Sequence, residues 1–490
     1  MKSLLLAVLA LGATATAAGD SVPSPQKPPT PSDREPFVLK STKIPGIDEA
    51  VLQGVYEVFE DRDAGSGRRI GLKVVVLPAT KPDPEPDAIF ILAGGPGVGA
   101  TAHAAGYASS WMREDRDIVL VDQRGTGESN PLRCRLGGEG DSPQRYLDPI
   151  FQEPAFRECL EELKQKADLT LYTTPIAMDD LNEVRAALGY GTINLNGGSY
   201  GTRAALVYMR RHPELVRTAV LTGVAPISFK NPLYHAREAQ TAIEGTFEAC
   251  ESDAKCRAAF PELNEEFEAV LERLEREPAS VTSEHGVNEI PTKVRLSREA
   301  FAEALRVMMY YPWSARSVPL KIHNAYQGDY GPFVQLGIGS NRNIRDQLAF
   351  GMLLSVICAE DVARIDPDEI ERETRGTFLG DGRVRRQSRV CEFWPKGRVP
   401  ENYGEPVTSS APTLLLSGTL DPVTSPRFAR EAARHLENSL HVTLAGPHSL
   451  RGPCVDSLVR QILERGSVDG IDTSCAGEVT LPDFELPASD

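Results

Sequence analysis

Ser199 stands between Gly197-Gly198 and Tyr200-Gly201, inside the run NLNGGSYGTRAAL of residues 194–206. A serine hydroxyl is a weak nucleophile at neutral pH and becomes reactive beside a general base that is itself oriented by an acid. G-x-S-x-G is the pattern of a strand-to-helix turn that presents such a hydroxyl above a sheet. The apolar run TINLN precedes it and the helical run TRAALVYMRRH follows, so the motif lies in the context it requires. Glycines at 197 and 201 leave space for a strained turn that larger side chains would block. Glycine and serine also occur in such turns for backbone reasons alone, so the remaining groups have to be found elsewhere in the chain.

In this architecture the partners follow in the order Ser, Asp or Glu, His. Asp421 comes after the apolar run TLLLSGTL and His448 after LHVTLAGP. Both are expected at carboxyl ends of strands, the edge at which open α/β sheets bind ligands. Of the eight histidines, His435 sits in a helical run and His441 opens a strand, leaving His448 as the base. Glu360 and Asp361, after LLSVICA, also precede His448 but fall in a helical region, so Asp421 ranks above them. A tetrahedral oxyanion needs two donors, one from the residue after the nucleophile and one from an earlier strand-end loop. Tyr200 N–H is the first; Gly95 N–H, from ILAGGPGVGA, is the second, because Pro96 has no N–H. In DQRGTGES, Asp122 and Arg124 are expected to pair and brace the turn beside that loop.

These groups need a sheet to carry them. Apolar runs recur as VLQGVYEVFE, IGLKVVVLP, DAIFILAGG, DIVLVDQRG, TINLNGGS, RTAVLTGVAP, PTLLLSG and LHVTLAG. Most of the later ones lack alternation, as strands covered on both faces do, which predicts a parallel sheet with helical crossovers. Thr174-Pro175 and Ser425-Pro426 each mark the start of a crossover helix. Residues 228–400 hold helical patterns such as AREAQTAIEGTFEAC and SREAFAEALRVMMYY. The expected fold is therefore α/β, a mostly parallel central sheet with a large helical insertion. Its segments are a leader (1–18), a proline-rich linker (19–36), a first core part (37–227), a helical cap (228–400), and a second core part with a C-terminal tail (401–490).

The leader MKSLLLAVLALGATATAAGD has the charge, apolar run and small-residue cleavage pattern of a signal peptide. No later apolar run reaches the length of a membrane span, so a secreted or periplasmic protein without stable membrane insertion is expected. A formal net charge of −16 argues against a nucleic-acid partner. The cysteines, Cys134, Cys159, Cys250, Cys256, Cys358, Cys391, Cys454 and Cys475, are even in number and lack CxxC spacing. Disulfides rather than a metal site follow. Pairing between sequence neighbours is expected, since short loops close most easily.

With GGPG at 94–97, DQRGTGES at 122–129, GGSYGT at 197–202, GTLDPVT at 418–424 and His448, the chain resembles the proline iminopeptidase and tripeptidyl aminopeptidase group of α/β-hydrolases. Its leader, cysteines and large cap are more similar to the secreted tripeptidyl aminopeptidase branch. It departs from many relatives in having Ala93 before the glycines and Pro447-His448-Ser449 around the base. The resemblance implies an α/β-hydrolase fold, no cofactor, and exopeptidase action in which cap carboxylates grip a free amine; Glu360 and Asp361 are the candidates. Peptide and small ester substrates both stay open, as does the oligomeric state. Two readings of another class compete. One is a dinucleotide-binding protein, in which Gly95, Gly97 and Gly99 would serve with Asp122 as the ribose-binding acid. The other is an exported binding protein without turnover.

Overall fold

Eleven strands form where β-branched and apolar residues cluster: β1 Lys40–Thr42, β2 Val51–Phe59, β3 Arg69–Leu77, β4 Ile89–Leu92, β5 Ile118–Val121, β6 Ile193–Gly198, β7 Val216–Thr222, β8 Ala279–Ser283, β9 Thr292–Leu296, β10 Thr413–Gly418 and β11 Ser439–Leu444. The computed structural model describes residues 37–47, 49, 51–136, 142–283 and 291–488; the predicted leader and linker lie outside them. Nine strands make one sheet in the order β1-β2-β3-β5-β4-β6-β7-β10-β11. The β1, β2, β3 and β5 neighbours pair antiparallel, and every pair from β5 through β4 to β11 is parallel. Burial follows the pairing. Every residue of β4, β5 and β10 is buried, whereas β2 mixes buried, half-buried and exposed positions.

The chain leaves β4, adds β5 on one side, and returns to add β6 on the other. That reversal opens a crevice at the carboxyl end of β4, the place where doubly wound sheets bind ligands. The helix Tyr200–Arg211 follows β6, and Thr174–Ala187 leads into it with proline in its first turn. Thr174 does not cap that helix; its hydroxyl is taken by Glu360 and Tyr200.

Between β7 and β10 the chain is mainly helical, from His235–Ser252 to Gly382–Phe393, with the hairpin β8–β9 added. Part of this region has its own core, in which the rings of Phe301 and Phe333 stack at 4.1 Å. The helix Phe350–Glu360 differs: FGMLLSVICAE is buried at every position and packs into the sheet's core with Phe151, Phe156 and Trp394. A helix apolar all round needs cover on all sides, so this segment is part of the base on which the other helices stand.

Four disulfides join cysteines adjacent in sequence: Cys134–Cys159, Cys250–Cys256, Cys358–Cys391 and Cys454–Cys475. The third ties Phe350–Glu360 to Gly382–Phe393. The fourth pins the C-terminal tail to the helix Pro453–Arg465.

Candidate active site

β6 ends at Gly198 and a helix begins at Tyr200, so Ser199 alone makes the turn, with φ 55° and ψ −125°. A non-glycine residue rarely adopts that conformation, and the surroundings must hold it there. Ser199 N–H donates to Thr222 O at 2.9 Å, and the Thr202 hydroxyl donates to Ser199 O at 2.6 Å. A Cβ on Gly201 would lie 2.0 Å from Leu92 O, and one on Gly197 2.5 Å from Gly201 O. Glycine at 201 is thus a consequence of backbone packing against β4, and glycine at 197 of close approach to the first turn of the helix that follows.

Asp421 and His448 follow β10 and β11, which are parallel neighbours in matched register. His448 Nδ1–H donates to Asp421 Oδ2 at 2.7 Å. The other carboxylate oxygen accepts the Val423 and Thr424 amides, both at 2.8 Å, while the Thr424 hydroxyl donates to Oδ2 at 2.8 Å. Burial alone would raise the Asp421 carboxyl; His448 and these donors outweigh it and hold it below its ordinary value. The imidazole is also fixed sterically: Tyr310 packs edge-on at 5.1 Å, and a Cβ on Gly223 would sit 2.9 Å from His448 Cε1. Among the described residues Nε2 has no hydrogen-bond partner, and the ring lines the same cavity as Ser199.

The loop after β4 passes close over Ser199, since a Cβ on Gly94 would stand 3.2 Å from Ser199 Cβ. Gly95 takes φ +118°, where a Cβ would meet Gly97 N at 2.6 Å. Gly95 and Tyr200 both line the cavity, and neither N–H has a backbone acceptor among the described residues. Gly95 and Tyr200 thus bring two uncommitted N–H groups to the lining of the cavity that holds Ser199, the kind of donor a developing oxyanion needs.

The cavity measures about 840 Å³ and runs from this edge into the helical region. It separates the two candidate amine ligands. Glu360 is not free to meet a substrate: it accepts Thr174 N–H at 2.6 Å, the Thr174 hydroxyl at 2.8 Å and the Tyr403 hydroxyl, is completely buried and does not line the cavity. Successive helical residues point about 100° apart, so Glu360 faces the sheet's core while Asp361 faces the cavity. Asp361 Oδ1 pairs with Arg203 at 2.7 Å, and Oδ2 is buried without a partner. Burial raises its pKa, and Arg203, Arg364 and the Asn231 backbone N–H work against that. Asn231 Oδ1 is a second buried acceptor without a donor, and it lines the same cavity.

Several cavity residues had no motif to mark them: Asn231, His235, Glu303, Arg306 and Arg383. The usable signal was the spacing of Glu303 and Arg306, three apart on one helical face, where an ion pair forms at 3.1 Å.

Asp122 and Arg124 brace the turn but not each other. Asp122 accepts the Thr101 amide and hydroxyl and the Glu128 amide at 2.8–2.9 Å. Arg124 binds Asp180 at 2.6 and 3.0 Å and the carbonyls of Glu60 and Leu171. Fully buried and saturated, Asp122 cannot serve a ribose, which removes the acid from the dinucleotide reading. Among the described residues no group of three or more His, Cys, Asp or Glu could hold a metal, and no helix is long and apolar enough to cross a membrane.

Residues 87–278 match the α/β-hydrolase-fold family and residues 377–475 a family described as TAP-like protein. The chain is similar to serine protease Hip1 of Mycobacterium tuberculosis, 23% identical over 469 residues covering 88% of each chain. It is similar to tripeptidyl aminopeptidase of Streptomyces lividans, 31% identical over 170 residues, 31% of this chain and 30% of that one. Proline iminopeptidase of Neisseria gonorrhoeae is 28% identical over 142 residues, 29% of this chain and 34% of that one.

Proposed function

For this serine hydrolase of the α/β-hydrolase fold with a TAP-like region, we propose exported aminopeptidase action, releasing amino acids or short peptides from free peptide N-termini. Ser199 Oγ attacks the scissile carbonyl while His448 Nε2 takes its proton. Asp421 holds the imidazole in the tautomer that leaves Nε2 free to accept, and the Gly95 and Tyr200 amides receive the oxyanion. The leaving amine then takes the proton back from His448, and water repeats the sequence to release the acyl group. The hydroxyl–imidazole bond is not formed in the free chain; such contacts commonly tighten only with substrate bound. Residues 228–400, apart from the core helix Phe350–Glu360, act in this reading as the cap that covers the sheet edge.

The observation that carries the reading is the 2.7 Å bond between His448 and Asp421 with Nε2 opening on the cavity that holds Ser199. The amine preference draws on Asp361 Oδ2 and Asn231 Oδ1, two buried acceptors that lack donors. An ammonium supplies three donors for these acceptors. The similarity to tripeptidyl aminopeptidase and proline iminopeptidase supports the same direction. Four disulfides support an oxidising compartment.

A panel of aminoacyl, dipeptidyl and tripeptidyl chromogenic amides, each with an N-acetylated control, tests the proposal. Loss of hydrogen bonds from a charged amine should lower kcat/KM by about 10- to 100-fold in the blocked series. Equal turnover of free and blocked amides, or turnover of simple esters alone, would refute the aminopeptidase reading.

A further inference from the structure

In the same cavity, charge is present that hydrolysis at Ser199 does not use. Arg306, Arg345 and Arg383 all line it, and Glu303 is the one carboxylate within ion-pair distance of any of them among the described residues. Arg306 is buried; it donates to Glu303 Oε2 at 3.1 Å and to the Tyr310 hydroxyl at 2.7 Å. Arg383 donates only from Nε, to Gln387 Oε1 at 3.1 Å, and its terminal nitrogens have no hydrogen-bond acceptor among the described residues. The nearest carboxylate oxygen, on Glu303, stands 3.6 Å from Nη1. Arg345 spends Nη1 on the Arg145 and Asp148 carbonyls and leaves Nε buried without a partner.

A second, independent feature lies beside them. His235 is 6% exposed, lines the cavity, and has neither ring nitrogen hydrogen-bonded. Burial first, then Arg306 and Arg383, depress its pKa far below the ordinary histidine value, so the ring is neutral and offers one donor and one acceptor. Burial first, then Arg306, lowers Arg383, and burial with Arg383 and Arg306 beside it brings Arg345 to about 10. Glu303 is held ionised against its burial by Arg306, Arg383 and Arg345. Three guanidiniums facing one carboxylate leave excess positive charge and open donors in a region sheltered from water. A bound anion would satisfy both.

We propose that Arg306, Arg383 and His235 form a subsite for a carboxylate on the substrate, so that the enzyme prefers short peptides carrying an acidic side chain or a free C-terminal carboxylate. Arg383 offers its terminal nitrogens as a two-pronged donor to the carboxylate, and His235 N–H can supply a third bond. The proposal deepens the peptidase reading and rests on this cavity being the substrate site. It does not depend on the amine contacts at Asp361.

The test compares kcat/KM within matched pairs: a glutamyl against a glutaminyl chromogenic amide, a tripeptide acid against its C-terminal amide, and the 4-nitrophenyl monoester of glutarate against 4-nitrophenyl pentanoate. Wild type should favour the carboxylate member of at least one pair by about 10-fold or more, the range expected for hydrogen bonds to a charged group. Arg383→Gln should reduce that ratio at least about fivefold, and Arg383→Lys should retain more of it than Arg383→Gln. Taking the ratio within one variant cancels any loss of folded enzyme. The first two pairs distinguish a side-chain from a C-terminal carboxylate. The ester pair needs no amine, so a preference there with no peptide turnover would sink the aminopeptidase reading and keep this one. Ratios of one or less in all three pairs, or equal loss on both members in Arg383→Gln, would overturn the subsite.

Discussion

Replacing Ser199 by glycine should make the protein more stable than replacing it by alanine, and both replacements should abolish activity. At φ 55° and ψ −125° a residue with a Cβ carries roughly 1–3 kcal/mol of backbone strain. Glycine removes that strain and adds about 0.5–1 kcal/mol of unfolded-state entropy. The net advantage of Ser199→Gly over Ser199→Ala is therefore about 1 kcal/mol, within a span of about 0–2.5. Alanine keeps the Cβ and loses only a hydroxyl that has no hydrogen-bond partner among the described residues, so Ser199→Ala should match wild type within about 0.5 kcal/mol. For 490 residues an unfolding entropy of about 2.1 cal/mol/K per residue gives about 1 °C of Tm per kcal/mol. Urea titration followed by fluorescence is the more sensitive assay, with replicate calorimetry as a check. If the glycine variant proves less stable than the alanine variant by about 0.5 kcal/mol or more, the strained turn is not what holds the nucleophile.

Asp421→Asn should lower kcat by about 10⁴-fold by favouring the wrong imidazole tautomer, read with any substrate the wild type turns over. Its stability cost should depend on pH. A carboxyl held below its unfolded value of about 3.9 stabilises the fold above that value and loses the contribution as pH falls through the folded one. The gap between wild type and variant should thus be flat above about pH 5 and close below about pH 4 in a urea series. Arg203→Met leaves Asp361 buried without its 2.7 Å partner and should cost about 3–5 kcal/mol by the same titration. Replacing Cys358 and Cys391 by serine opens a closure spanning 33 positions and should cost about 3–4 kcal/mol by loop entropy; an unchanged urea midpoint would contradict this.

What the sequence made legible was local or topological. The run around Ser199 specifies its turn because Gly197 answers to the backbone of Gly201 and Thr202 within the run, and Gly201 to Leu92 one strand away. Asp421 and His448 could be placed because both end apolar runs that become parallel neighbours β10 and β11. Partner choice between distant segments was not legible. Asp122 and Arg124 are two residues apart yet turn to Thr101 and Asp180 respectively, since alternate residues after a strand need not share surroundings. Glu360 and Asp361 look equivalent in one dimension, and helical rotation sends one into the core and the other to the cavity. The meeting of Glu303, Arg306, Arg345 and Arg383 depends on the packing of three helices whose sequences show only ordinary amphipathic spacing. LLSVICA was legible only as part of a helical region, and the place of Phe350–Glu360 in the sheet's core depends on tertiary contacts with Phe151 and Trp394.

The most direct test of the central claim is reaction with a fluorophosphonate followed by peptide mass spectrometry. One covalent adduct is expected, on Ser199, formed at a rate that collapses in His448→Ala while the circular dichroism spectrum stays that of wild type. An adduct on a different residue, or undiminished labelling of the Ser199→Ala protein, would contradict it.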